Sequence, residues 1–236
     1  MFRIKICGIT NAPDAVAAVD AGADAIGLNF YEKRSRYVTE QKARQIFEGM
    51  GRDRALAVAP VGVFVNHPLQ QVMRYASRAG ERASVQLHGD ETPEVVANVK
   101  SALADYPDNN VWGVIWAQRL DEGGIDRLRV SLAACEAHGA SPDALLVDSA
   151  TPGNYGGTGT TLSWNKLADH SDWLGDTPLI LAGGLTPENV AEAIRIVRPA
   201  AVDVASGVES SPGKKDPHKV RDFVAAAKAA FESLES

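Results

Sequence analysis

Two glycine-containing segments, each at the end of a short apolar run, have the composition of an anion site. Leu179–Ala182 stops at Gly183-Gly184, and Ala200–Val204 stops at Ser206-Gly207. Glycine lets the backbone approach a ligand closely and adopt a positive φ, and a helix starting just beyond presents unpaired N–H groups to an anion. Thr186-Pro187-Glu188 has the residues of such a helix start. The pattern favours a phosphate site formed by both segments over two unrelated tight turns.

Ionisable side chains also stand where apolar runs end. Cys7 and Asp148 each close such a run, and Lys5 lies two residues before Cys7 on the same face of its strand. A carboxylate at the end of an apolar strand is costly unless it is paired or used. We therefore expect Asp148 to be functional, although capping of the following loop is the alternative. Cys7 fits two descriptions, a small buried hydrophobe or a functional thiol placed before a glycine.

Other polar residues follow further apolar runs. Gln86 and His88 end one run, and Arg36 lies in the basic loop 33–37 after another. Taken alone, Arg36 is typical of a solvated loop charge, and His88 of a hydrogen-bonding residue. The glycine-rich stretch 156–160 fits either a lid or a plain flexible loop. The five histidines lack the spacing of a metal motif such as H-E-x-x-H, so we expect no metal.

Strand-like and helix-like segments alternate along the whole chain and must bring these residues together. The predicted strands are Arg3–Cys7, Ala25–Phe30, Ala57–Val65, Ala83–Leu87, Val111–Trp116, Ala144–Val147, Leu179–Ala182 and Ala200–Val204. The predicted helices are Ala12–Asp20, Glu40–Phe47, Leu69–Ala79, Pro93–Leu103, Ile125–Ala137, Trp164–Ala168, one from Thr186 to before Pro199, and Pro217–Leu234. Such alternation indicates a parallel sheet. Eight units favour an α/β fold of the (β/α)₈ TIM barrel type over a doubly wound sheet. In such a barrel the strand ends share one face, where the chemistry takes place.

Composition limits the class of protein. A chain of 236 residues, 45% hydrophobic and 23% charged, suits a single barrel domain spanning residues 1–236. The net charge of −6 and the lack of a basic run argue against a nucleic-acid partner. We find no secretory signal and no apolar run long enough to span a membrane. Two cysteines far apart are typical of a reducing cytoplasm. We therefore expect a cytoplasmic protein without membrane or nucleic-acid partners.

Eight segments together resemble the motifs of one enzyme family. They are residues 5–10, 62–66, 85–91, 146–149, 156–159, 181–185, 202–209 and 212–216, which read KICGIT, GVFVN, VQLHGDE, LVDS, GGTG, LAGGL, VDVASGVE and PGKKD. In this order they are similar to phosphoribosylanthranilate isomerase of tryptophan biosynthesis. The likeness runs from Lys5 to Asp216, nearly the whole chain.

The resemblance implies a cofactor-free isomerase. The reaction is the Amadori rearrangement of N-(5-phosphoribosyl)anthranilate to 1-(2-carboxyphenylamino)-1-deoxyribulose 5-phosphate. By motif, Cys7 matches the general base and Asp148 the general acid. Arg36 matches the arginine that meets the anthranilate carboxylate. Because Arg34-Ser35 stand where the family usually has Ser-Pro, Arg34 is an alternative contact.

The expected partner is a small phosphorylated aminosugar, bound at both of its ends. The residues expected to bind it are Lys5, Arg36, Gln86, His88, Gly183, Gly184, Ser206 and Gly207. The thiolate of Cys7 would form from a reference pKa of about 8.5, and the positive charge of Lys5 would favour it. We expect a monomer or a homodimer.

Two rival functions fit the same architecture. One is an aminoaldose isomerase of the histidine pathway, which would show an aspartate at the end of the first strand, where this chain has Cys7. The other is a catalytically silent barrel that binds phosphorylated metabolites. Turnover of freshly prepared phosphoribosylanthranilate distinguishes an active isomerase from the silent barrel.

Overall fold

A computed structural model describes residues 1–79, 82–105, 111–119, 124–148 and 160–235 of the chain. Eight parallel strands form a closed barrel in chain order, and pairing of the last strand with the first closes it. The strands are β1 (Ile4–Cys7), β2 (Ala25–Asn29), β3 (Ala59–Phe64), β4 (Ala83–Leu87), β5 (Val111–Arg119), β6 (Ala144–Asp148), β7 (Leu179–Ala182) and β8 (Ala201–Val204). The predicted (β/α)₈ barrel is thus confirmed.

Helices follow the strands and surround the barrel. They are α1 (Ala12–Ala21), α2 (Glu40–Met50), α3 (Arg52–Ala57), α4 (Leu69–Ala76), α5 (Pro93–Ala104), α6 (Gly124–Ala137), α7 (Thr160–Leu167), α8 (Ser171–Leu174), α9 (Val190–Val197) and α10 (Pro217–Glu235). Within the described ranges, no helix is both long and apolar enough to cross a membrane.

Side chains alternate between two apolar cores along each strand. Leu145 and Val147 of β6 belong to the large core shared with the helices, whereas Leu146 belongs to a smaller core with Ile115 and Ile180. Because successive residues of a strand point to opposite faces, the smaller core fills the interior of the barrel. Asp148 is two residues after Leu146 on β6, so its side chain points to the same interior face, at the end of the strand.

The third strand is shorter than predicted at its start. The prediction of a strand from Ala57 was wrong for its first residues, because Arg52–Ala57 form α3 and β3 begins at Ala59. The segment RDRALA contains arginine, alanine and leucine, which have high helix propensity. β5, in contrast, extends beyond the predicted end at Trp116, since Arg119 still pairs with Asp148 of β6.

The helix expected to start at Thr186 begins later. α9 starts at Val190, and the three residues before it form a turn. Both Asn189 and Val190 donate backbone N–H groups to the carbonyl oxygen of Thr186, at 3.3 and 3.1 Å. The start signal at Thr186-Pro187 therefore makes a tight turn first and the regular helix one turn later.

A hairpin after β8 has no counterpart among the predicted elements. It consists of β9 (Glu209–Ser211) and the antiparallel β10 (Lys214–Lys215). Its strands are too short for a period-two pattern to be recognised in the sequence.

Candidate active site

A cavity of about 730 Å³ opens where the barrel strands end. This volume lies within the usual range for small-molecule sites, roughly 300–1,000 Å³. The predicted site residues in its wall are Cys7, Arg36, His88, Asp148, Gly183, Gly184, Ser206 and Gly207. Two predicted substrate-binding residues, Lys5 and Gln86, are not in the wall, because both are completely buried below it.

Lys5 and Gln86 form a buried polar network under the cavity. The Nζ atom of Lys5 donates to Oε1 of Gln86 at 2.8 Å and to Oδ2 of Asp203 at 2.9 Å. The Gln86 amide lies 2.7 Å from Nδ1 of His88. An amide nitrogen only donates, so Nδ1 accepts and Nε2 of His88 carries the proton. The network therefore supports Cys7 and His88 from below, and the geometry suits Lys5 and Gln86 to positioning rather than to contact with substrate.

Charge in this network is balanced by close pairing. Burial would lower the pKa of Lys5, but Asp203 and Cys7 more than offset this, so the pKa of Lys5 is raised and the amine stays charged. Burial, together with the charge of Lys5, lowers the pKa of His88, which keeps the imidazole neutral at pH 7. His88 thus offers a neutral N–H donor.

Cys7 is partly exposed at the end of β1. Burial raises the pKa of its thiol, and the positive charges of Lys5 and Lys215 offset only part of this effect. Lys5 therefore acts in the direction expected from the sequence, but desolvation outweighs it. The thiolate forms only above the ordinary pKa range of a cysteine.

Asp148 lies at the end of β6, on the wall of the same cavity. Its register neighbours are Arg119 of β5 and Ala182 of β7. β6 and β1 are separated by β7 and β8 in the barrel order, so Asp148 and Cys7 approach the cavity from different sides. Ser149 and the predicted glycine-rich loop 156–159 lie outside the described residues.

Arg36 reaches the cavity from the loop after β2. Its Nε and Nη2 atoms donate to the two carboxylate oxygens of Glu209, both at 2.7 Å. Arg34 also lines the cavity, but its side chain is exposed, and the described residues show no ion pair for it. The two arginines therefore differ in how firmly they are held.

The glycine segments after β7 and β8 meet at the cavity. Gly183 and Gly184 have φ values of 83° and 65°, in the left-handed region that favours glycine. A Cβ atom at Gly207 would collide with the carbonyl oxygen of Leu185, because the two loops are in backbone contact there. Asn189 braces the first loop, since its side chain accepts from Thr186 N and donates to Gly184 O. Both glycine requirements expected from the sequence are thus met in the structure, one by conformation and one by close approach.

Sequence reasoning assigned no role to three charged residues next to the site. Asp203, Glu209 and Lys215 are all buried, and each pairs with a residue near the cavity wall. A signal for Asp203 was present, because it is a carboxylate inside the apolar strand Ala201–Val204. Among the described residues, no cluster of histidine, cysteine, aspartate and glutamate is arranged to hold a metal ion.

Comparisons with known proteins agree with the barrel and its site. The family described as N-(5'phosphoribosyl)anthranilate (PRA) isomerase matches residues 4–226. The N-(5'-phosphoribosyl)anthranilate isomerase of Geobacter metallireducens is 43% identical over 230 residues, which cover 97% of this chain and 100% of the relative.

Solved structures of the same enzyme are similar over almost the whole chain. Phosphoribosyl anthranilate isomerase from Thermotoga maritima has a TM-score of 0.77 and 38% identity, covering 97% of this chain and 100% of that one. A further phosphoribosyl anthranilate isomerase structure, in complex with reduced 1-(o-carboxyphenylamino)-1-deoxyribulose 5-phosphate, has a TM-score of 0.74 and 34% identity, with coverages of 97% and 100%. As its sequence motifs predicted, the chain belongs to the phosphoribosylanthranilate isomerase family, whose members are enzymes of tryptophan biosynthesis.

Proposed function

We propose that Cys7 and Asp148 carry out the isomerisation of N-(5-phosphoribosyl)anthranilate as general base and general acid. One observation carries this proposal. A thiol on β1 and a carboxyl group on β6 line the same cavity, together with Arg36, which is paired with Glu209, and the two glycine loops. A phosphorylated ligand suits this cavity, since a relative of the same fold binds the reduced product analogue.

The order of strands suits a substrate with two anionic ends. β1 lies between β2, whose loop carries Arg36, and β8, whose loop carries Ser206-Gly207. The carboxylate would bind Arg36 and the phosphate the backbone N–H groups of the two glycine loops. The ribose would then lie over Cys7. Fixing both ends in this way removes much of the entropic cost of aligning the reacting atoms.

The reaction needs two proton transfers. Asp148 donates a proton to the ring oxygen of the ribose, and the ring opens to an iminium ion. Cys7, as the thiolate, removes the proton from C2, and the resulting enolamine tautomerises to the ketone. No atom is gained or lost, and residues of this chain are sufficient for both transfers.

Cationic groups around Cys7 offset part of the burial that raises the pKa of its thiol. The cationic groups that act on it are Lys5, Lys215 and Arg36, of which Lys5 and Lys215 are fully buried. Asp203 and Glu209 balance two of these three charges. A negative thiolate balances the third, so the cluster is neutral overall only when Cys7 is ionised.

Replacement of Gly207 by valine is expected to weaken substrate binding. The new side chain would collide with the Leu185 carbonyl and separate the two loops. We expect the KM to rise by about tenfold to a hundredfold, because a hydrogen bond to a charged group contributes roughly 1.5–3 kcal/mol. Steady-state kinetics, with inorganic phosphate as competitor, provides the measurement.

Gly139→Val is the matched control for this prediction. Gly139 has a φ of 86° but nothing within 4 Å of an added Cβ, in the turn that follows α6. A valine there is strained by the positive φ but lies outside the cavity wall, so it should lower thermal stability without the rise in KM. An unchanged KM in Gly207→Val would show that these loops do not bind the phosphate of the substrate.

Arg36 is expected to contribute more to substrate binding than Arg34. The planar guanidinium matches a carboxylate with two hydrogen bonds, which an ammonium cannot do. Arg36→Lys and Arg36→Ala should therefore raise the KM by about tenfold or more, and Arg34→Ala should have a smaller effect. If Arg34→Ala is the more damaging change in the same assay, Arg34 is the carboxylate contact.

Turnover of the wild-type chain tests the whole proposal. Freshly prepared phosphoribosylanthranilate is fluorescent, and its fluorescence should decay faster in the presence of the protein. A phosphate-binding barrel without catalysis would bind the substrate without accelerating the decay. A histidine-pathway aminoaldose is tested in parallel. Turnover of that compound instead of phosphoribosylanthranilate would indicate an aminoaldose isomerase of the histidine pathway.

We also propose that residues 1–236 act as one domain, in the cytoplasm, as a monomer or a homodimer. Light scattering would then give the mass of one or two chains of 25.1 kDa. A larger assembly would contradict this proposal.

A further inference from the structure

The β9–β10 hairpin lies against the loop that follows Cys7 and the loop that carries Arg36. Its Gly213 carbonyl accepts a hydrogen bond of 2.7 Å from Thr10 Oγ1, in the loop after β1. A Cβ atom at Gly213 would lie 3.0 Å from the Ser35 carbonyl oxygen, in the loop after β2. The hairpin therefore bridges two of the loops that form the cavity wall.

Glu209, at the start of this hairpin, is the buried partner of Arg36. Its side chain is 5% exposed, and its oxygens accept from Nε and Nη2 of Arg36 at 2.7 Å each. The carboxylate also accepts from Lys215 Nζ at 3.2 Å and from Gly213 N at 3.3 Å. Glu209 is absent from the cavity wall, so it lies behind Arg36 and does not reach a bound molecule.

Arg36 is held on a second side by Gly8. A Cβ atom at Gly8 would collide with Cδ of Arg36, so the stem of the arginine lies directly on the backbone next to Cys7. Among the described residues, Nη1 of Arg36 has no hydrogen-bond partner, and the residue lines the cavity. Because a guanidinium has five N–H donors in a rigid plane, a carboxylate on the Nε–Nη2 edge leaves the Nη1–Nη2 edge available.

We propose that Glu209 is a positioning residue that sets the guanidinium of Arg36, so that its outer edge receives the carboxylate of the substrate. This inference rests on the proposed function. Glu209 and Gly8 together fix both the plane and the direction of the guanidinium. The substrate then meets a preorganised donor pair and does not have to order a flexible side chain.

Lys215 keeps this arrangement attractive to an anion. A carboxylate behind Arg36 would by itself cancel the charge that binds the substrate. Lys215 is buried and pairs with the same carboxylate, while its Nζ atom also donates to the Ala205 carbonyl at 2.9 Å, next to Ser206-Gly207. Two cationic side chains and one carboxylate leave a net positive charge beside the cavity.

The test is a double-mutant cycle between Glu209 and Arg36. Glu209→Gln should raise the KM by up to about tenfold and by no more than Arg36→Ala does, because a misplaced guanidinium loses part of its contact with the carboxylate, while the inhibition constant of inorganic phosphate stays within about twofold. In the Arg36→Ala background, Glu209→Gln should give no further rise, since its effect passes through Arg36. A residue that only stabilised the fold would lower the amount of active enzyme and leave the KM unchanged.

Asp20→Asn is the matched control. Asp20 accepts from Nε and Nη2 of Arg54 in the same two-bond geometry, but on the exposed surface. It should leave the KM unchanged. If Glu209→Gln does not fold, Glu209→Asp takes its place, because it keeps a charge opposite Lys215 but withdraws the carboxylate by one methylene.

Three results would overturn the inference. The first is an unchanged KM in the Glu209 variant, and the second is an equal rise with and without Arg36. The third is a fall in KM, which would mean that Glu209 competes with the substrate for the arginine. Failure of the proposed function is distinguishable, because it would appear as a wild type without turnover or as an Arg36→Ala variant with normal KM.

Discussion

Cys7→Ala is expected to lower kcat by about 10²- to 10⁴-fold, the usual contribution of one positioned proton-transfer group. Alanine has no group that can remove the proton from C2, and the small change in volume leaves β1 intact. The affinity for the reduced product analogue should stay within a few-fold of the wild type, because Cys7 is assigned neither to the phosphate site nor to the carboxylate contact. Turnover and analogue affinity are measured side by side on folded protein.

The second cysteine of the chain supplies the control for this experiment. Cys135 is completely buried in α6, and burial raises its pKa to about 11. Cys135→Ala should keep normal turnover and lose only some stability. Near-normal turnover in Cys7→Ala would exclude Cys7 as the base, whatever the family relationship suggests.

The pH dependence of the wild type gives a second readout on Cys7. The active form is the thiolate, which exists above the pKa, and burial raises that pKa. Because the mechanism also needs a protonated acid, kcat/KM should follow a bell-shaped pH profile, whose limbs belong to the acid–base pair as a whole. In Cys7→Ala this dependence should be absent from the residual activity. A profile without a bell shape in the wild type, or one that is unchanged in Cys7→Ala, would contradict the two-group mechanism.

Asp148→Asn is expected to cause the second large loss, again about 10²- to 10⁴-fold in kcat. Asparagine has nearly the same shape but cannot give a proton to the ring oxygen, so ring opening loses its acid. Binding of the reduced product analogue should remain close to normal. Stopped assays over hours, at saturating substrate, are sensitive enough to measure the residual rate.

An exposed aspartate on α8 provides the comparison. Asp172→Asn makes the same chemical change, from a carboxyl group to an amide, at an exposed position and should leave kcat unchanged. If Asp148→Asn unfolds more easily but keeps most of its kcat, Asp148 caps its loop and is not the acid. That outcome would leave Cys7 as the base and require another proton donor in the cavity.

The sequence alone was sufficient for the barrel and for most of the cavity wall. Apolar runs followed by helical patterns are local signals, because periodicity depends only on residues a few positions apart. The positions of Cys7, Asp148 and the glycine pairs at strand ends follow from the same local pattern. A parallel barrel then brings all strand ends to one face, so local signals were enough to assemble the site.

The partners of these residues were decided only by the tertiary structure. Lys5 bonds to Asp203 across 198 residues of chain, and Arg36 to Glu209 across 173. No local pattern encodes such pairs, and the hairpin that carries Glu209 is too short to leave a periodic signal. Burial of Lys5 and Gln86 likewise depends on how eight strands close around them. Because of this burial, both residues lie below the cavity and not in its wall.

The ionisation of Cys7 shows the same division most directly. From the sequence, a lysine two residues away on the same strand face predicted a stabilised thiolate, since neighbouring charge is all that the sequence reveals. The fold adds desolvation, which acts in the opposite direction and is the larger effect. The chain therefore specified by itself which groups meet at the mouth of the barrel. Only the tertiary structure decided how deeply each is buried, and hence which of them line the cavity and which hold the others in place.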